Sequence, residues 1–239
     1  MHKIAQSGEM TVLGLIEFDS KLHRVRSERK RTSDIELICI TLPSDKPRHL
    51  RKASKLLYGV RTVIPDELSA SVFEKAGICV VQKSELAFRL AVDIYKNAMC
   101  RYRLKPKDIT LAVYSGHLGV SAENILDTLA KSARYIVPLS PDADSAAEYL
   151  LENYGIAASF TPNTSNVKLY LYEKNFSLHI IKGDFVHIFK DVKIALPEKF
   201  NALPKGYEKG FATALLQAGI VRENDVIILD CVYETQKLT

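Results

Sequence analysis

The stretch from Ile109 to Ser140 constrains the rest of the chain. It reads ITLAVY, SGHLG, VSAENILDTLAKSA, RYIVPLS. That is an apolar β-branched run, a glycine-bearing turn, a helical period and a second apolar run. A strand that feeds a helix and returns to a second strand sets the two strands parallel, joined by a right-handed crossover. Parallel sheets bury both faces, so helices must lie on either side. The stretch therefore predicts a layered α/β protein.

The flanking segments extend that pattern. PDADSAAEYLLENYG reads as a helix opened by Ser, Asp and Pro signals and closed by Gly155, with IAASF at 156–160 as a third strand. The period then changes. VKLYLYE, FSLHIIK and DFVHIFKDVKIAL are separated by Lys174-Asn175 and Gly183-Asp184, which are two-residue hairpin signals. Residues 167–196 thus read as an antiparallel meander, followed by a helix at 207–218 and a last buried strand at 225–233. Before the central stretch, MTVLGLIEF reads as a strand, LHRVR as its returning partner and SERKRTSD as an exposed loop. IELICITL (35–42) is a buried strand, and a helix over about 47–58 carries Pro47 in its first turn. Shorter strand and helix signals lead to a long helix at 85–103. The expected fold class is α/β: a parallel βαβ core with an added antiparallel meander, in one sheet or two lobes. The expected division is an N-terminal α/β region at 1–105 and a second region at 106–239.

A dinucleotide fingerprint needs G-x-G-x-x-G at the turn between strand and helix. Laid on that pattern, Val113 to Gly119 supplies the second and third glycines as Gly116 and Gly119, while Tyr114 stands in the first position. Over residues 109–160 the chain resembles the Rossmann dinucleotide-binding superfamily. The resemblance implies that Gly116 lets backbone approach a pyrophosphate and that Gly119 lets helix and strand pack closely. It implies NAD or NADP as the cofactor class and an oxidoreductase as one outcome. The departure at Tyr114 puts a large side chain where the family has its tightest turn. An acidic ribose partner is expected near the end of the second strand, where Ser140 stands, with Asp142 and Asp144 just after it. No Arg follows that strand to meet a 2′-phosphate.

The residues themselves support a smaller statement. Bare amides at the start of a helix over 120–132 hold anions, with Ser115 and Ser121 as added donors. His117 sits inside the turn, where it can bond a phosphate or move a proton near neutral pH. Thr161 and Asn163, after the expected third strand, would face the same crevice. Against this, any βαβ unit with a short connection favours glycine at the turn, so a structural turn accounts for the same residues. Three functional readings stay open. One is a nucleotide or dinucleotide site at 115–121. Another is a non-catalytic Rossmann-like interaction or regulatory domain with a decayed site. The third and weakest is nucleic-acid binding through a basic N-terminal face.

That face follows from the charge distribution. Residues 1–61 hold 13 Lys/Arg against 7 Asp/Glu, and the remainder is close to neutral. Arg48, Arg51, Lys52 and Lys55 share one side of a helix. Without interleaved aromatics, a solvated face explains them better than a nucleic-acid contact. His179 and His187 fall on separate meander strands with no metal spacing, and His2, His23 and His49 read as exposed. Four cysteines without a CxxC pair suggest neither zinc nor a disulfide framework. The chain has no run long enough to span a bilayer and no secretory signal at its start. The expectation is a cytoplasmic protein with free thiols and a small-molecule ligand, with self-association left open. Neither a catalytic set nor a metal set can be assembled from spacing, and whether the protein is an enzyme is open at this stage.

Overall fold

The computed structural model describes residues 10–32, 35–65, 70–115, 127–139, 141, 143–158, 165–172 and 175–238. The chain is an α/β protein. It folds as two compact units, 1–83 with 196–227 and 84–195 with 228–239. The sequence places one division near residue 105; in the structure the first unit ends at Lys83 and the chain returns to it at Leu196.

The first unit is built on β1 (Thr11–Phe18), β2 (Arg26–Arg31), β3 (Ile35–Leu42) and β4 (Thr62–Ile64), in the order β2-β3-β1-β4. β1 lies parallel to β3 and to β4, and Val80 continues the sheet as a parallel bridge to Val63. Ile16, Ile38, Ile40, Leu42 and Val63 face one side, where they pack with Leu50, Ala53 and Leu57 of helix α1 (Pro47–Leu56 with its C-cap Leu57) and with Phe73 of α2 (Ala70–Glu74). The other side carries Leu13, Leu15 and Ile64. Both faces are covered, which is why IELICITL shows no polar alternation. Gly14 makes room on the first side, since a Cβ there would lie 2.8 Å from Leu57 Cδ2.

β2 is a correction. The strand is RSERKR itself, antiparallel to β3, and LHRVR mostly forms the turn before it. Every β2 residue is exposed, so apolar alternation gives no signal. Backbone pairing to the β3 edge holds it, and Glu36 receives Arg29 at 3.4 Å and Arg31 at 3.8 Å. His49 is a second correction. It is buried, with Nδ1 3.0 Å from Ser44 Oγ and Nε2 accepting from Arg48 Nε at 3.1 Å.

The second unit holds the central stretch. The region expected as one long helix is two, α3 (Lys83–Arg89) and α4 (Ala91–Tyr102). Its sheet runs β10-β9-β8-β7-β5-β6. The strands are β5 (Thr110–Ser115), β6 (Tyr135–Leu139), β7 (Val167–Tyr172), β8 (Asn175–Lys182), β9 (Phe185–Ala195) and β10 (Ile227–Lys237). β5 is parallel to β6 on one side and to β7 on the other, while β7, β8 and β9 pair antiparallel. The expected parallel βαβ core with an added meander is therefore present. Residues 127–130 are helical, and α5 (Ala143–Tyr154) connects β6 to β7.

The third parallel strand is β7, not IAASF. Gly155, at φ 65°, ends α5, and Ile156 N turns back to Leu150 O, leaving 156–158 outside any strand. Asn166 fixes the start of β7 instead. Its Oδ1 accepts from Thr110 N at 3.0 Å and its Nδ2 donates to Asp108 O at 2.8 Å. β10 is likewise not a buried strand but an edge strand, with Ile227, Leu229 and Val232 exposed.

Candidate functional site

The topology singles out one position. The chain leaves the carboxyl end of β5 towards β6, on one side, and leaves that of β7 towards β8, on the other. Adjacent parallel strands whose connections diverge open a crevice at their carboxyl ends, which is where ligands bind in open α/β sheets. Here that switch point lies between β5 and β7, and its last paired residues are Ser115 and Leu171.

Ser115 alternates with Leu111 and Val113 on the buried face of β5. It is 4% exposed, and its Oγ has no hydrogen-bond partner among the described residues. A buried hydroxyl left unpaired costs about 1–3 kcal/mol, so such groups are uncommon without a purpose. Tyr114 points to the opposite face. Its ring stacks on its register partner Tyr170, with centroids 4.4 Å apart and planes 11° from parallel. His179 follows at 4.8 Å from Tyr170, and its Nε2 lies 3.1 Å from Ser177 Oγ. Tyr114 is thus a strand residue held by a cross-strand aromatic pair.

Of the residues expected to form the site, Ser115 and Asp144, the latter exposed in the first turn of α5, lie among those described. Gly116, His117, Gly119, Ser121, Ser140, Asp142, Thr161 and Asn163 lie outside them. The described residues that flank two of the expected segments have defined positions. Leu139 pairs with Tyr114, so β6 ends level with β5. Ser165 and Asn166, which close the TPNTSN segment, stand instead at the amino ends of β5 and β7. Ser165 Oγ is the counterpart of Ser115 there: 3% exposed and without a partner among the described residues.

Other polar groups of this unit are structural. Tyr149 OH donates to Asp127 at 2.6 Å, tying α5 to the helical residues 127–130, and this bond holds the Asp127 carboxyl below its usual range. Tyr95 OH reaches Ser132 O at 3.3 Å. Arg101 donates to Cys231 O at 2.8 Å and Asp230 Oδ1 at 3.1 Å and lies over the Tyr233 ring, fastening β10. Burial pushes the Cys231 thiol up to about 11, a thiol rather than a nucleophile at neutral pH. His187 bonds Thr235 Oγ1 at 2.8 Å and packs on Tyr102. Burial lowers the pKa of both His179 and His187. Among the described residues no three His, Cys, Asp or Glu side chains gather as a metal site. None of their helices is long and apolar enough to cross a membrane.

The sequence points to Ser115 by its place before the glycine turn. It carries no sign that the hydroxyl is unpaired, or that β7 supplies the far wall of the switch point. The Asn166 clamp is legible only as an Asn one residue before an alternating run.

No protein-family model and no curated protein matches the chain. Among solved structures it is similar to L-tryptophan dehydrogenase from Nostoc punctiforme, at 12% identity and a TM-score of 0.27. That match covers 65% of this chain and spans about half, 53%, of that enzyme.

Proposed function

We propose that the carboxyl end of β5, with the turn 115–121, binds a nucleotide or dinucleotide. The observation that carries this is the buried Ser115 hydroxyl, without a partner among the described residues, beside the β5–β7 switch point. A hydroxyl there can donate to a phosphate oxygen seated at the strand end, and the group that would satisfy it is an anionic acceptor. Gly116 and Gly119 would allow close backbone approach, with Ser121 as a further donor and His117 beside the ligand. Ser140 and Asp142, which follow β6 in sequence, are the residues for a ribose hydroxyl. The reading assigns no contact to Thr161 and Asn163, because Ser165 and Asn166, which follow them, stand at the amino ends of β5 and β7. NAD or NADP is the cofactor class this reading favours, and a hydride-transferring oxidoreductase is the activity it allows.

Calorimetric titration of NAD, NADP and ATP tests the site. The reading expects saturable binding by the wild-type chain. Ser115→Ala should weaken it about tenfold, the worth of one hydrogen bond to a charged group. Gly116→Trp should abolish it. Heats indistinguishable from dilution for all three ligands would refute the reading. Tyr114 favours a second one, a Rossmann-like domain that serves regulation or interaction, because the first glycine of the fingerprint is absent and its replacement is built into the sheet. Turnover with any nicotinamide cofactor would exclude that alternative.

A further inference from the structure

A second candidate site lies in the first unit and is independent of the glycine turn. Between α1 and α2 is a pocket of about 310 Å³ lined by Pro47, Leu50, Arg51, Val72, Lys75 and Ala76. That volume falls at the lower end of small-ligand sites. Leu50 is buried, Val72 and Ala76 are half-buried, and Arg51 and Lys75 are exposed at the rim. Among the described residues the lining contains no carboxylate, hydroxyl or amide side chain. Its polar side chains among the described residues are two cations, Arg51 on α1 and Lys75 in the turn after α2.

Neither cation has an ion pair or hydrogen bond among the described residues. This contrasts with β2, where Arg29 and Arg31 share Glu36. Nor does α1 offer compensation, since it has no acidic residue in its first turn and no side-chain cap. The pocket is therefore apolar below and positive above, with donors only. A guanidinium and an ammonium accept nothing, so a ligand that pairs with them must bring acceptors and negative charge. An apolar floor of this kind gains free energy only if the ligand also brings hydrocarbon.

We propose that this pocket binds a small organic carboxylate with a short apolar tail. The carboxylate sits on Arg51 and Lys75, and the tail lies on Leu50, Val72 and Ala76. An ion without a tail leaves the floor wet. A tail without charge leaves the cations unpaired.

Octanoate is the probe, titrated into the full ¹⁵N-labelled chain and followed by amide shifts. Saturable shifts are expected at residues 48–52 and 72–76, with acetate, inorganic phosphate and 1-octanol each binding at least about tenfold more weakly. The double variant Arg51→Gln/Lys75→Gln should lose about tenfold or more in octanoate affinity, at an unchanged thermal midpoint because both residues are exposed. Ala76→Leu keeps both charges and narrows the pocket, and should weaken octanoate while leaving acetate as it was. Equal binding of octanoate and octanol would overturn the proposal, as would equal binding of octanoate and phosphate. Unchanged affinity in the double variant, or no shifts at these residues, would overturn it too. A nucleotide titration of the same sample reports on the other unit, so failure here is distinguishable from failure of the glycine-turn reading.

Discussion

Two serines show how far single residues carry the account. Ser115 and Ser165 are both buried, both without a hydrogen-bond partner among the described residues, and stand at opposite ends of the same parallel strand pair. Their unpaired hydroxyls cost stability, whatever their use. Ser165→Ala should therefore raise stability by up to about 1–3 kcal/mol, read as an increased urea midpoint at constant m. Ser115→Ala should stabilise the free protein in the same way but weaken its ligand. A residue kept at a cost to stability and needed for binding is the signature of a functional site. If Ser165→Ala destabilised the chain, its hydroxyl would have a partner in the folded protein and the comparison would fail.

At the scale of elements, the strongly periodic segments are legible in the sequence and the polar or edge segments are not. β1, β3, β5 and β6 announce themselves as β-branched apolar runs because both of their faces are buried. β2 gives no such signal, since all six of its residues are exposed and its pairing is made by backbone. IAASF has the composition of a strand, yet a left-handed Gly155 and the Asn166 clamp give that place to β7. Tertiary approach is also invisible in sequence. Helix α6 (Glu208–Gln217) packs on β4 at Gly210, where a Cβ would stand 2.5 Å from Ile64 Cγ2. Helix propensity alone favours Ala over Gly at this position by about 1 kcal/mol. The overlap should outweigh that preference. Gly210→Ala is expected to destabilise by about 1–3 kcal/mol, and Ile64→Ala in the same chain should remove most of that penalty. Additive losses in the double variant would mean that the two positions do not meet.

Over the whole molecule, the fold class is readable because one βαβ unit with a following change of period admits few architectures. The composition of the candidate site is readable only in part. The glycine turn marks a place, while the state of Ser115 depends on what β7 brings beside it. Two half-buried histidines contribute to the molecule's response to acid. Burial first, then Lys168 and Lys190 for His179, and Lys182 and Arg101 for His187, depress the two pKa values in the folded chain. The unfolded chain takes up these protons near pH 6.5, before the folded one does. Their contribution is therefore complete above about pH 6.5 and falls away as pH drops from there towards the folded-state values. His179→Gln/His187→Gln should flatten the decline in unfolding free energy between about pH 7 and 5.5, measured by urea titration. An unchanged slope would mean that other groups govern it.

The central claim is that a nucleotide occupies the end of β5. Thermal denaturation with NAD, NADP, ATP, S-adenosylmethionine and FAD, each at millimolar concentration, tests it most directly. A ligand present at about 100 times its Kd adds about 2.7 kcal/mol, which raises the midpoint by a few degrees for a chain of this length. The account predicts such a shift with at least one of the five, reduced in Ser115→Ala and lost in Gly116→Trp. No shift with any of them would contradict it and leave the glycine turn as a structural connection.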